Sequence, residues 1–477
     1  MPTAVVIGGG VSGLASAYYI QRYLPQFSKV IVLESSKRVG GWVNTTINPD
    51  GCIFEHGPRS LRPVGEQGRN TLQLAEELGL TRHVLPILRS DPAAKNRYLY
   101  VKGKLWALPN SVVSLFKKLP PFSEPLIKTI ISEPFHRRCN EPDETVHSFV
   151  SRRFGREVAD IAIDAMCRGI FAGDCRSLSV QACFPPLHEM EQKHGSLVAG
   201  LLFGSKSPKV ESSGLVREAM DGKWASWSLR YGLQQLTDAV ADAVTNTRGG
   251  EVRKHSKCLG IQPKDNRKVL VRTEGDSIEA DLVISSVYSK DLASLLPASM
   301  SGLKEKLSTL ESVNVIVVNL EYKDDVLSVK GFGHLLPSSE GGPLLGMVYD
   351  SCTFPEQGRK GCPNSTRLTV MMGGAWYDKL LTSKGLLPSG PEIVEMASKA
   401  AATHLGIRAR PIRSHVTLQE ECIPQYRVGH MKWVADVEEQ IQQSKLPLKL
   451  VGASYRGPAI NDCINNARKA IEAMKST

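Results

Sequence analysis

A short apolar run at residues 4–7 opens the chain, glycines follow at Gly8, Gly9, Gly10 and Gly13, and an Ala-rich stretch at residues 14–24 stops at Pro25. The compact run predicts a buried strand and the longer one a helix ended by proline, with the glycines in the turn between them. Lys29–Leu33, in KVIVLES, is a second β-branched strand that ends at Glu34. Strand, turn, helix and strand make one βαβ unit. Far along the chain, NVIVVNLEY and TRLTVMMGGAWY alternate poorly and predict buried strands. NSVVSLFKKLPPFSEPLIKTIISEPFHRR interleaves Leu, Ile and Phe with Lys and Arg, which predicts helices with one apolar face. The last stretch, LKLVGASYRGPAINDCINNARKAIEAM, reads as strand, glycine loop and terminal helix. Internal repeats are absent, so no solenoid is expected.

Composition narrows the class. A chain of 477 residues exceeds one ordinary core and predicts two or three domains. With 42% hydrophobic, 22% charged and 6% aromatic residues it reads as a folded α/β protein, not a collagen, coiled coil or disordered chain. The net charge of +11 would attract nucleic acid, an anionic membrane or a small acidic ligand. No long Lys/Arg block or zinc-finger spacing supports nucleic acid, which is set aside. The ten cysteines are scattered, with no C-x-x-C and no Cys/His pair at metal spacing, so free thiols and no metal site are expected. No run of about 18 apolar residues could span a bilayer. The first apolar run begins so early that no cleavable signal or transit segment is expected, and any address would be internal.

The glycines carry the first chemistry. Gly8 permits a tight turn, Gly10 lets backbone approach a pyrophosphate, and Gly13 lets the helix pack close on the strand, with Gly9, Val11 and Ser12 completing the loop. The pyrophosphate then meets the positive end of the helix. Glu34 stands about 20 residues after the last glycine, where an acid accepts from a ribose hydroxyl. A dinucleotide is the favoured ligand.

Just downstream, SSKRVGGWVNT sets Ser35, Arg38, Gly40, Gly41 and Trp42 in a second glycine turn beside a cation, and FEHGPRSLRP adds Gly57, Pro58, Arg59 and Ser60. Both resemble segments of the flavin amine oxidase superfamily, which makes FAD the expected dinucleotide. The same resemblance implies two later returns to the cofactor. One is near Lys257 and residues 278–287; the other is at Gly452, Ala459, Ile460 and Asn461, where a helix would aim its amides at the flavin pyrimidine.

Five more stretches narrow the likeness: NRYLYVKGKLWALP, EPDETVHSFVSRRFG, DAMCRGIFAGD, GFGHLLPSSE and CIPQYRVGH. With GASYRGPAINDC they resemble the protoporphyrinogen oxidase family of the animal mitochondrial type over essentially the whole length. That resemblance implies six-electron oxidation of protoporphyrinogen IX to protoporphyrin IX, the penultimate step of haem biosynthesis. It also implies one non-covalent FAD per subunit, O2 as acceptor and hydrogen peroxide as product. Covalent flavin through Cys422 or Cys463 stays open by position alone. Arg97 matches the family's propionate-binding arginine, and its planar guanidinium suits a carboxylate. Slot walls would come from Gly169, Ala172, Phe332 and Leu335, with Met371 beside them and Arg168 as a second cation or a structural one. No general base is expected, since His56, His334 and His430 read as loop histidines.

The implied fold is α/β. A Rossmann-like FAD-binding domain of the glutathione reductase/amine oxidase type spans residues 1–88, 210–300 and 420–477. A mostly α-helical membrane-binding and substrate-lining domain spans 89–209, and a mixed β-sheet substrate domain spans 301–419. The family also implies a monotopic contact with an anionic membrane surface, at the mitochondrial inner membrane on its intermembrane-space side, a homodimer, and contact with ferrochelatase. Two rivals remain: a related amine oxidase or carotenoid desaturase, and a flavin-free binding protein of the Rab escort type.

Overall fold

The computed structural model describes residues 1–203, 213–264, 267–362 and 364–476. Its first organising element is a five-stranded sheet in the order Leu448–Leu450, Leu282–Ser285, Thr3–Ile7, Lys29–Leu33 and Gly250–Arg253. Every pairing is parallel, with Val5 opposite both Ile31 and Val283. Parallel strands need cover on both faces, which explains why AVVI, VIVL and LVI are continuously apolar and buried. One face packs on the helices Val11–Tyr23, Gln234–Asn246 and Ile460–Glu472 through Leu14, Ile20, Val240 and Ile464. The other is covered by a three-stranded sheet spanning Cys258 to Ala280 and by the helices Ser301–Ser308 and His430–Ser444. The nucleotide-binding sheet is thus assembled from three separated stretches of chain.

A seven-stranded sheet stands beside it, in the order Arg413–Pro424, Ser312–Tyr322, Thr366–Gly373, Leu344–Val348, Gly333–Leu335, Tyr98–Val101 and Lys104–Ala107. Pairing is antiparallel except between Gly333–Leu335 and Tyr98–Val101, so the sheet is mixed. One face, carrying Met347, Val370 and Val318, is covered by the helix Gly390–Leu405 through Ile393, Ala397 and Ala401. The register sets Leu99, Leu335, Gly346, Met371 and Val317 in a row on the opposite face. That face turns toward the nucleotide-binding unit, where Asn319 Oδ1 meets His56 Nδ1 at 3.2 Å and Asn319 Nδ2 donates to the Glu55 carbonyl at 3.1 Å.

Two details depart from the expected boundaries. The segment expected to be mostly helical supplies the last two strands at one side of this sheet, because RYLYV and KLWAL flank a two-residue turn. Lys102 and Gly103 both have positive φ, 52° and 72°, the geometry of a tight hairpin. The strand Arg413–Pro424 also runs through the boundary expected at 419/420. The boundary expected at 209/210 lies outside the described residues.

The helices between residues 146 and 203 pack around Phe149, Cys167, Leu178 and Val180. They are cross-tied by a buried ion cluster in which Arg153 meets Glu133 at 3.0 Å and also Glu191. Burial alone would raise the Glu133 carboxyl, but donors from Ser196, Leu197, Val198 and Arg153 outweigh it and hold it below the usual range.

Candidate functional site

The glycine turn has the geometry of a pyrophosphate cradle. A Cβ on Gly13 would lie 2.0 Å from the Gly8 carbonyl oxygen and 2.6 Å from Ser286 Oγ, so only glycine lets the helix sit this close to the strand. Gly8 has φ +101°, a conformation side chains rarely adopt. The helix starts at Gly10 with no side-chain cap and no acid in its first turn. Its leading amides, on Val11, Ser12 and Gly13, therefore remain available to an anion, and nothing offsets the helix dipole.

The second glycine turn folds onto the first. The Gly40 amide donates to the Gly9 carbonyl at 2.8 Å, and a Cβ on Gly41 would come within 3.3 Å of Gly10 Cα. Arg38 builds this turn: its guanidinium donates to the carbonyls of Gly41 at 2.6 Å and of Val39 and Val43 at 3.1 Å each. Glu34 is likewise engaged, accepting from the Gly9 amide at 2.9 Å and the Ser36 amide at 2.8 Å, with one lone pair left on each oxygen for a ribose hydroxyl. Ser35, Pro58 and Lys257 are exposed, and Ser60 is half-buried. Trp42 is exposed, and its carbonyl would stand 2.3 Å from a Cβ on Gly57. Arg59 is buried in an ion pair with Asp350 at 2.6 Å, which ties the two sheets together.

The chain's far end closes the cradle. Ser286 Oγ donates to the Ile7 and Gly8 carbonyls at 2.9 and 3.0 Å, and Gly452, with φ +103°, would bring a Cβ within 3.1 Å of the Ser286 carbonyl. The helix Ile460–Glu472 begins after Ala459 with no side-chain cap. Asn461 Nδ2 donates to the Arg62 carbonyl at 2.8 Å, while Asn461 Oδ1 is buried without a partner. An orphaned buried acceptor at an uncapped helix start fits the donor-bearing edge of a flavin. In the same turn, burial lifts the Asp462 carboxyl to about 6. Burial pushes the Cys422 thiol up to about 12 and the Cys463 thiol up to about 11, so neither is a ready nucleophile for a covalent flavin bond.

The residues expected to wall the slot come together where the helix Asp164–Phe171 packs on the sheet. Gly169 faces Leu335, whose Cδ2 would be 2.5 Å from an added Cβ. Ala172 ends the helix in the left-handed conformation, φ 48°, and packs with Val315, Val317, Leu345, Met371 and Trp376. At the slot's mouth the Arg97 guanidinium lies over the Phe332 ring, 5.5 Å from its centroid. It has no ion pair and no hydrogen bond from its head group among the described residues, and desolvation, then the neighbouring Arg62, hold its pKa below the usual value. Arg168 is placed differently. Adjacent helix positions point about 100° apart, so with Gly169 toward the slot Arg168 turns inward. It is fully buried, stacked 3.9 Å over Trp376 and donating to the Leu344 carbonyl at 2.7 Å. Among the described residues its Nε and its other terminal nitrogen are buried without a hydrogen-bond partner.

His56, His334 and His430 are all buried; His56 lies in a loop, as expected, while His430 opens a helix. His334 lies in a strand, between Tyr349 Oη and His404 Nδ1 at 2.9 Å each, and burial followed by His404 lowers its pKa to about 3. Burial brings His56 and His430 down to about 4. All three stay neutral, and each bonds to a partner that fixes it. Sequence reading missed Asp350 and Asn319, which join distant segments and have no local pattern, and included Ser286 only as part of the stretch 278–287.

Residues 11–473 match the model of the family described as flavin containing amine oxidoreductase, the class that the paired glycine turns and the parallel sheet define. The chain is 45% identical over 476 residues to protoporphyrinogen oxidase of Homo sapiens, covering 100% of this chain and 98% of that protein. It is 26% identical over 481 residues to coproporphyrinogen III oxidase of Bacillus subtilis, covering 98% and 96%. Among solved structures, cyclohexylamine oxidase of Brevibacterium oxydans shares the fold with a TM-score of 0.66 at 15% identity, covering 100% of this chain and 99% of that one. The chain belongs to the flavin containing amine oxidoreductase family and, within it, to the protoporphyrinogen oxidases.

Proposed function

We propose that this chain uses bound FAD to oxidise protoporphyrinogen IX to protoporphyrin IX, with O2 as the final acceptor and hydrogen peroxide as product. The observation that carries the reading is the apolar row Leu335–Gly346–Met371–Val317, walled by Gly169 and Ala172 and tipped by the unpaired Arg97. A flat apolar macrocycle with acidic side chains needs such a slot and such a cation. When bound, FAD supplies the hydride-accepting ring and the route to O2.

The chain's own residues orient and exclude. The first helix and the Gly40–Gly41 turn would hold the pyrophosphate, Glu34 a ribose, and the start of the last helix the pyrimidine edge. Val317, Met371 and Leu335 keep water from the slot, and Arg97 fixes the substrate's acidic edge. Among the described residues the slot walls carry no base, so the pyrrole protons would leave to solvent at the open edge of the ring beside Arg97, away from the water-excluding wall. Aerobic turnover tests this reading. The expected result is porphyrin fluorescence rising with peroxide, and porphyrin formed at the rate of the enzyme-free control would refute it.

The helical segment supports a membrane contact. Val112, Val113, Phe116, Ile131, Phe135, Leu201, Leu202 and Phe203 are all exposed, Phe135 by 85%, alongside Lys117, Lys118, Arg137 and Arg138. Apolar side chains with cations beside them suit an anionic lipid surface. No helix among the described residues is long and apolar enough to cross a membrane. Co-sedimentation with phosphatidylserine-containing vesicles, lost on Phe116→Ser, Phe135→Ser and Phe203→Ser together, is the expected result; retained binding would exclude this surface.

A further inference from the structure

The strand Arg413–Pro424 ends at a proline, and the chain leaves the sheet through Gln425, Tyr426 and Arg427, a strap that leads into the helix His430–Ser444. Gln425 and Tyr426 are both buried, so their polar atoms need partners inside the protein. Those partners lie on opposite sides of the strap.

The Gln425 side chain turns to the slot. Its Nε2 donates to the Phe171 carbonyl at 3.0 Å and to the Ile423 carbonyl at 3.1 Å, and its Oε1 stands 2.3 Å from where a Cβ on Gly173 would lie. Phe171 and Gly173 flank Ala172, the wall residue held in the left-handed conformation. The Tyr426 side chain turns instead to the loop before the last helix. Its hydroxyl donates to the Ala453 carbonyl and accepts from the Gly457 amide at 3.0 Å, so one oxygen ties both ends of residues 453–457. Burial holds this phenol well above its usual pKa, so it stays protonated and keeps its donor. His430 adds a third tie: its ring stacks on Tyr426 with centroids 3.9 Å apart, and its Nε2 donates to the Tyr455 carbonyl at 2.8 Å.

The backbone of the strap is itself fixed. The Gln425 amide donates to the Glu311 carbonyl at 2.9 Å, the Ser179 amide to the Tyr426 carbonyl at 2.8 Å, and the Gly429 amide to Asp143 Oδ2 at 2.9 Å. Two neighbouring side chains on a held backbone thus reach the slot wall on one side and the loop that leads into Ala459 and Asn461 on the other. We propose that Gln425 and Tyr426 are paired positioning residues, through which the strap sets the slot wall against the start of the last helix and so places the tetrapyrrole against the flavin. This rests on the function proposed above and adds to it the residues that fix the two ligands relative to each other. Hydride transfer needs its partners near contact, and a misplacement of about 1 Å costs up to about a hundredfold in rate.

The test compares Tyr426→Phe, which keeps the ring and its stack on His430, with two variants on the slot side. These are Gln425→Leu and Gly173→Ala, the latter displacing the Gln425 amide without removing it. Tyr426→Phe is expected to raise the FAD Kd of the apoprotein about tenfold, the scale of one buried hydrogen bond. It should leave the Kd for protoporphyrin IX, read by tryptophan quenching, within about twofold. Gln425→Leu and Gly173→Ala should do the reverse. All three, saturated with FAD and protoporphyrinogen IX, should bleach flavin about tenfold more slowly than the wild type on anaerobic mixing. A limiting rate within about twofold of wild type, for Tyr426→Phe or for both slot-side variants, would overturn the proposal. So would FAD and porphyrin affinities that fall together in each variant, which is what a general loosening of the fold produces. A wild type that bleaches no flavin would refute the proposed function, and the two Kd patterns would still decide on the strap.

Discussion

Gly13→Ala is the sharpest probe of the cradle. The added methyl would sit 2.0 Å from the Gly8 carbonyl oxygen, where ordinary contact begins at about 3.4 Å, so the first helix must back away from its strand by roughly 1 Å. Backing away opens the contacts of Leu14, Ala17 and Ile20, and overpacking of this kind costs about 1–3 kcal/mol. The same shift carries the helix's leading amides off the pyrophosphate. Losing one charge-assisted hydrogen bond weakens FAD binding about ten- to a hundredfold. The assay is flavin content after gel filtration together with the FAD Kd of the apoprotein. Ser286→Ala is the control: it removes the 2.6 Å contact with Oγ but leaves the carbonyl in place, so the double variant should remain as defective as Gly13→Ala. A fully loaded Gly13→Ala protein with wild-type Kd would refute the assignment of this turn.

Gly169→Ala meets only the flexible end of Leu335, so the fold and FAD content should hold while Leu335 rotates into the slot and KM rises severalfold; an unaltered KM would separate Gly169 from the slot. Arg153→Met leaves Glu133 buried without its cation and should cost about 3–5 kcal/mol in chemical denaturation, a loss under 1 kcal/mol contradicting the role given to the cluster. Acid should destabilise the protein early. Unfolded histidines bind protons below about pH 6.5, whereas His56 and His430 refuse them until about pH 4, so each removes about 1.4 kcal/mol per pH unit across that window. Glu55, lifted to about 7 by burial, acts in the opposite sense, gaining stability as pH falls from about 7 to its unfolded value of 4.5. Asp462, lifted to about 6, acts in the same sense as Glu55, so His56 and His430 only offset these two acids; His334 and His404, lowered to about 3 and about 4, tip the balance, and the urea midpoint should fall between pH 6.5 and 5; a flat or rising midpoint would contradict the burial of these neutral rings.

The βαβ unit was legible because its information is local: strand period, helix period and glycines at fixed offsets all lie within residues 3–33. Arg38 was legible as part of the second glycine turn but not as the residue whose guanidinium ties that turn's carbonyls, since spacing names a residue and not its hydrogen-bond partners. Arg168 illustrates the same limit, because a residue beside Gly169 in sequence faces elsewhere on a helix. The row Leu335–Gly346–Met371–Val317 depends on the register among four strands, which no single segment encodes. The hairpin Tyr98–Ala107 had a local signal, alternation around Lys102–Gly103, that the helical reading of its surroundings obscured. Asp350 and Asn319 had none: their roles come from contacts with Arg59 and His56 across hundreds of residues.

The central claim is that this chain places bound flavin against a porphyrinogen in its apolar slot. Anaerobic rapid mixing of the FAD-loaded protein with protoporphyrinogen IX tests it most directly. Flavin absorbance should bleach in step with the appearance of oxidised tetrapyrrole, and admitted O2 should restore it. Flavin that keeps its absorbance through this mixing would contradict the account.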